Sequence, residues 1–262
     1  MPVNPFSSVE IFQDYEKGHV IQWTLLSSFN DPMPHTFFLE CTETADFSSL
    51  LFSKNVGNGF FAVDETSKQT GTFTHTNYRV KLVTPTLTYF SSPLIRSSTR
   101  PELRKELMAQ EIIRKEKVRL RYTGEFGYLL KRKTSGQIST NTVDPRTKVP
   151  IADSTEDYGV GYLGGYYAPV QINFTPEEYV EQTAFSEGGL GIKNSETYKI
   201  KLVGFPAIVV KDIIVNNDNV RHVVTKIERT LFPGTKTPIQ QSIAMSMVPI
   251  GDTIYKIAVP RI

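Results

Sequence analysis

Residues 99–133 read TRPELRKELMAQEIIRKEKVRLRYTGEFGYLLKRK, and this stretch divides the chain. Thr99 stands three residues before Glu102, the spacing of a capping box, and Pro101 suits a first helical turn. Leu103, Leu107, Met108, Ile112 and Ile113 recur at helical spacing, and Glu111 with Lys115 forms an i,i+4 pair. Gly124 and Gly127 mark the end of the helix. The pattern predicts one connecting helix over 96–122, with β-rich text on both sides.

At 262 residues the chain has room for two domains. Its 39% hydrophobic and 21% charged content describes a folded chain, and 12 Tyr and 16 Phe suit sheets and contact surfaces. The net charge of +2 is unevenly spread. Between Arg96 and Lys133 there are twelve Lys/Arg against five Asp/Glu, leaving 17 basic and 22 acidic residues elsewhere. The lone Cys41 excludes an intrachain disulfide and a Cys-only metal knuckle, and it fits a reducing compartment. The opening MPVNPFSS shows no signal-peptide pattern, and no apolar run approaches the roughly 20 residues that span a bilayer. A soluble chain is expected.

Before the helix, short strands alternate with turns. In HVIQWTLL (19–26), Ile21, Trp23 and Leu25 share one face. Asn30–Pro34 is a turn before HTFFLECTET, and Val56–Gly59 is a turn before FFAVDE. In NYRVKLVTP (77–85), Tyr78, Val80 and Leu82 alternate with Arg79, Lys81 and Val83. Trp23 in the second strand, the Ala45-Asp46-Phe47 turn and the Tyr-x-Val-x-Leu strand together resemble a fibronectin type III module. The resemblance covers 1–95 and implies an immunoglobulin-like sandwich. Trp23 would fill the core and Tyr78 would tie down a corner.

After the helix, residues 136–163 read as a long polar loop that regains order at Gly164-Gly165-Tyr166-Tyr167. TYKIKLVGFP alternates again. AIVVKDIIV and VRHVVTKIER flank Asn216–Asn219 and predict a hairpin, and QQSIAMSMVPI and DTIYKIAVP follow. Successive hairpins suggest a small barrel over 123–262.

The strings RLRYTGEFGYLLKRK (119–133), Asp144-Pro145-x-Thr147 and GGYYAP (164–169), with the VKDIIVN and HVVTKIE segments, are similar to neck-region virion proteins of tailed bacteriophages. The resemblance covers about 110–262 and implies a β-barrel of the head–tail connector type. In those relatives the loop carries two Cys-x-x-Cys pairs. Here the positions are Ser139, Thr142, Ser154 and Asp157, so the four-ligand zinc site cannot form. The implied role is structural and non-enzymatic. The chain would be part of a homo-oligomeric ring that meets the portal and other neck or tail proteins, in a virion assembled in the host cytoplasm.

Motifs of chemistry are missing. His19, His35, His75 and His222 are scattered, and no G-x-S-x-G, H-E-x-x-H or G-x-x-x-x-G-K-[ST] occurs. The glycine-rich Ser186–Gly191 reads as a loop, and Glu177-Glu178 and Asp153/Glu156/Asp157 read as solvated carboxylates. No catalytic residue, cofactor or metal is expected. Subunit contact falls instead to Arg114, Lys117, Arg119, Arg121, Lys131, Arg132 and Lys133, and to Tyr162, Tyr166 and Tyr167 in GVGYLGGYYAPV. The basic residues would face acidic protein neighbours in a ring or, non-specifically, DNA in an axial channel. Two other readings stand beside the neck: a tail or baseplate component, and a soluble carbohydrate-binding adhesion module.

Overall fold

The computed structural model describes residues 4–14, 18–65, 77–95, 103–139, 154–185, 192–233 and 238–260. The Thr99–Glu102 capping box, His75, Thr142 and the Ser186–Gly191 loop lie outside them. The described chain is mainly β, with one α-helix and one closed six-stranded barrel. Its contacts divide it into two compact units. One comprises Met1–Arg104 with Lys133–Ala168, and the other Lys105–Arg132 with Pro169–Ile262.

The first unit holds two antiparallel sheets. β1 (Phe6–Asp14), β2 (Gly18–Leu25) and β5 (Phe61–Asp64) form one in the order 1-2-5. β4 (Phe52–Gly57), β3 (Thr36–Thr42), β6 (Asn77–Val83) and β7 (Thr88–Phe90) form the other in the order 4-3-6-7, and β8 (Leu94–Ile95) pairs with β6. Side chains alternate along each strand, so each sheet turns one apolar row inward. Ile21, Trp23, Leu25 and Ala62 from the first sheet meet Phe37, Leu39, Cys41, Tyr78, Val80 and Leu82 from the second in one core. Trp23 lies 5.3 Å from Phe37, ring to ring.

Residues 133–168, expected as part of the barrel domain, group with this first unit. The Gly136 amide donates to Phe29 O at 2.9 Å, Ile138 N to Asn30 Oδ1 at 2.8 Å, and Met33 N to Gln137 Oε1 at 2.9 Å. Within the segment, Ser139 N donates to Gly161 O and Leu163 N to Gln137 O, so its two ends pair around an Ile138–Tyr162 bridge.

The second unit contains α1 (Leu103–Thr123, whose first two residues fall in the first unit) and the barrel. α1 ends just before Gly124, whose amide closes the last turn on Leu120 O at 3.0 Å. Ala109 and Leu120 are buried, whereas Met108 and Ile112 are exposed. The barrel strands are β9 (Glu125–Leu130), β10 (Val170–Phe185), β11 (Ile192–Val203), β12 (Ile213–Val215), β13 (Arg221–Leu231) and β14 (Pro238–Met247). They close in the order 10-11-14-13-12-9, every pairing antiparallel, with β9 joining β12 and β10. Closure removes the open edges a sheet would otherwise present. Leu129, Ile172, Phe174, Ile200, Leu202, Ile214, Val224, Ile243 and Met245 are all buried. Gly127 permits the closure, because a Cβ there would stand 2.3 Å from Val215 O. Beyond Thr197↔Ser246, the last β11–β14 pair, β10 and β11 pair with each other alone among the described residues and run on to Phe185↔Ile192 as a two-stranded ribbon.

Candidate contact surfaces

The basic helix neutralises part of its own charge. Arg114 grips Glu111 through Nε and an Nη atom, both at 2.8 Å, and Lys115 approaches the same carboxylate at 3.7 Å. Arg119 grips Glu116 at 3.0 and 2.6 Å. These hydrogen bonds hold both carboxyls below their usual range, with Arg114 and Arg119 the leading causes. Such pairs add little stability in water. They do order the two arginines. Arg121 is exposed and Lys117 half-buried. Lys105, Met108, Ile112, Lys115, Arg119 and Tyr122 follow one another at alternating spacings of three and four, and all are exposed. The exposed helix face is therefore mixed: cationic and apolar together.

The lysines after the helix behave differently. Lys131 is buried, donates to Ala207 O at 2.7 Å and pairs with Asp212 Oδ2 at 3.2 Å. Asp212 also accepts from the amides of Arg132 (2.9 Å) and Val209 (2.8 Å). Burial lowers the Lys131 ammonium and raises the Asp212 carboxyl, each change opposed by the other charge. Lys133 is also buried, donates to Leu163 O at 2.7 Å and lies 6.0 Å from the Tyr167 ring. Burial pulls its ammonium down to about 8. Both side chains are taken up inside their own unit, which corrects their expected place on a surface. Arg132, between them in sequence, remains half-exposed.

The tyrosines sit on a compact turn. Asp157 is fully buried, and its carboxylate accepts from Gly161 N at 2.9 Å and Gly159 N at 3.4 Å. Gly165 has φ +53°, and a Cβ there would come 2.5 Å from Asp157 O, so the turn requires glycine. Tyr162 and Tyr166 are half-buried, the latter 6.4 Å from the Tyr158 ring. Tyr167 leans on Phe60 at 5.5 Å, and burial pushes its hydroxyl up to about 12. Of the positions where the resemblance places zinc ligands, Ser139 is buried with no hydroxyl partner among the described residues, and Ser154 Oγ accepts from Glu156 N.

Among the described residues, no three His, Cys, Asp or Glu side chains converge as metal ligands. A buried chain of polar groups joins the two sheets of the first unit. Tyr78 Oη donates to Asp64 Oδ2 at 2.7 Å and stands 2.7 Å from His19 Nδ1. With the phenol proton directed at the carboxylate, His19 Nδ1 must carry the hydrogen. All three residues are buried, so the chain clasps the sheets and offers no access to a substrate. On the barrel, Glu177, Lys199, Lys226, Glu228, Ser242 and Ala244 line a depression of about 190 Å³. Lys226 pairs with Glu228 along β13 at 2.6 Å, and Glu177 pairs across strands with Lys201 on β11. Glu177 is exposed, as the sequence reading had it, whereas Asp157, read in the same way as solvated, is fully buried because the Gly159 and Gly161 amides take up its carboxylate.

One surface escaped the sequence reading. On the outer face of the 4-3-6-7 sheet, the Arg79 guanidinium lies 4.3 Å from the Phe47 ring centroid and 4.4 Å from that of Phe90. Its Nε donates to the buried Glu40 carboxylate at 2.6 Å, and Lys81 approaches Glu40 at 3.8 Å. The alternation in NYRVKLVTP places Arg79 and Lys81 outward, but the cross-strand register that brings Glu40 and Phe90 beside them (Arg79↔Glu40, Lys81↔Phe90), and the β3–β4 turn that brings Phe47, have no signature in one strand alone.

No protein-family model and no curated protein sequence matches this chain. No described helix is long and apolar enough to cross a membrane.

Proposed function

We propose that this chain is a structural virion protein of a tailed phage, part of the neck ring that joins portal and head to tail. The observation that carries the reading is where the resembling string falls. RLRYT ends α1, and Glu125–Leu130 is β9, the strand that closes the barrel against β10 and β12. The most specific part of the resemblance thus falls on the strand that closes the barrel, which supports reading that barrel as one of connector type. The first unit fits a fibronectin type III-like module. Its orders 1-2-5 and 4-3-6-7 match an immunoglobulin-type A-B-E and C-F-G arrangement in which the fourth strand has moved beside C. The core position of Trp23 and the cross-sheet bonds of Tyr78 support the same assignment.

The mechanism is mechanical. A closed barrel gives each subunit a stiff body, and subunit interfaces hold the ring around its axial passage. Two elements are suited to contacting neighbouring copies: the mixed face of α1, and the β10–β11 ribbon, whose outer edges are unpaired beyond the barrel. Arg114 and Arg119 are already forked onto glutamates, which favours protein neighbours over phosphate for that face.

Immunogold labelling of phage particles, combined with the mass of the purified protein, tests the proposal. Label at the head–tail junction is expected, with a protein that associates into a ring. Label at the tail tip would move the chain to the baseplate, and its absence from particles would overturn a virion role.

A further inference from the structure

The outer face around Arg79 carries a partly satisfied recognition group. Arg79 uses Nε on Glu40 and lies against the Phe47 and Phe90 rings, while among the described residues its Nη1 and Nη2 groups have no hydrogen-bond partner. The side chain is 22% exposed, so this remaining edge is reachable. Two cations, Arg79 and Lys81, share the single Glu40 carboxylate, leaving the face one positive charge in excess. Phe90, 43% exposed, lies alongside. A guanidinium normally loses conformational freedom when it captures a ligand. This one is already fixed by two rings and a carboxylate, so that cost is largely absent.

We propose that this face docks a carboxylate-bearing protein segment, with the Nη1/Nη2 edge of Arg79 forking onto the carboxylate and Phe90 packing against neighbouring apolar atoms. The fork fits one carboxylate in two parallel hydrogen bonds. The face favours a polypeptide over an acidic sugar. Sugar platforms need open aromatic faces, and the Phe90 ring already carries Arg79 at 4.4 Å and Lys81 at 6.0 Å. It also favours a polypeptide over nucleic acid, since a single excess charge is a small electrostatic footprint for a phosphate chain. The surface belongs to the first unit by itself and does not rest on the neck assignment.

The test is a titration of the isotope-labelled full chain with a blocked Val-Glu-Val-Glu-Val-Glu peptide, followed by NMR. Saturable shifts are expected at the Arg79 Nε–H and at the amides of Phe38, Glu40, Lys81 and Phe90. The Gln analogue should leave them unmoved. Arg79→Lys keeps the charge but loses the fork and the stack, and should weaken binding about tenfold or more. Phe90→Ala, at an exposed position, should weaken binding while the amide spectrum stays folded. No saturable shift at millimolar peptide, equal binding by Arg79→Lys, or shifts gathered on α1 instead would each overturn the proposal. So would tighter occupation of the same residues by sialyllactose, which would make the ligand an acidic glycan.

Discussion

Tyr78 donates its hydroxyl proton to Asp64 at 2.7 Å across the interior of the first unit, joining β6 of one sheet to the end of β5 in the other. Both residues are buried, so the bond forms where water cannot replace it. Tyr78→Phe keeps the ring and removes the hydroxyl from Asp64 and His19 alike. A loss of about 1–3 kcal/mol is expected, read as a lower urea midpoint with an unchanged slope. A neutral result would show that the clasp contributes nothing.

Asp212 holds the Lys131 ammonium and two backbone amides in the second unit. Asp212→Ala leaves the buried cation without its counter-charge and should cost about 3–5 kcal/mol. Adding Lys131→Met should recover only part of that, because the amides of Val209 and Arg132 still lack their acceptor. Complete recovery in urea melts would mean the amides find other partners.

Gly165→Ala places a methyl 2.5 Å from Asp157 O at a positive φ. A loss of more than about 1 kcal/mol is expected. Hydrogen exchange should locate it: faster exchange at the Gly161 and Leu163 amides, with β9 and β12 unchanged. Uniform protection in the variant would contradict the requirement for glycine.

Burial lowers the imidazole pKa of both His35 and His222 from the ordinary 6.5. The unfolded chain therefore binds these protons more readily than the folded one. Their contribution is fully present above 6.5 and is lost as pH falls below it toward the folded values. The melting temperature should drop between pH 7.5 and 5.5. His35→Gln with His222→Gln should flatten that slope, and an undiminished slope would assign it to other groups.

The helix was legible because its cue is local: apolar positions at a period of 3.6 and Gly124 as the stop. The strands around Trp23 and Tyr78 were legible from alternation, and Asn216–Asn219 marked the turn between β12 and β13. What escaped depends on distant partners. Residues 133–139 bond to Phe29, Asn30 and Met33, more than a hundred positions away, and no periodic pattern records that. Lys131, Arg132 and Lys133 are one run of charge to a reader of sequence. The Ala207, Asp212 and Leu163 acceptors separate two buried ammoniums from the half-exposed guanidinium between them. The Arg79 stack was hidden for the same reason, since Phe90 comes from β7 and Phe47 from the turn between β3 and β4.

The interleaving of the two units also sets an order of events during synthesis. Residues 133–168 complete the first unit, so it cannot finish until the ribosome has already delivered α1 and β9. β9 must then wait for both of its flanking strands, β10 and β12, to emerge. A nascent chain that has emerged from the ribosome just past residue 168 would carry a finished amino-terminal body tethered to an orphan strand, the stage at which a chaperone would have most to shield.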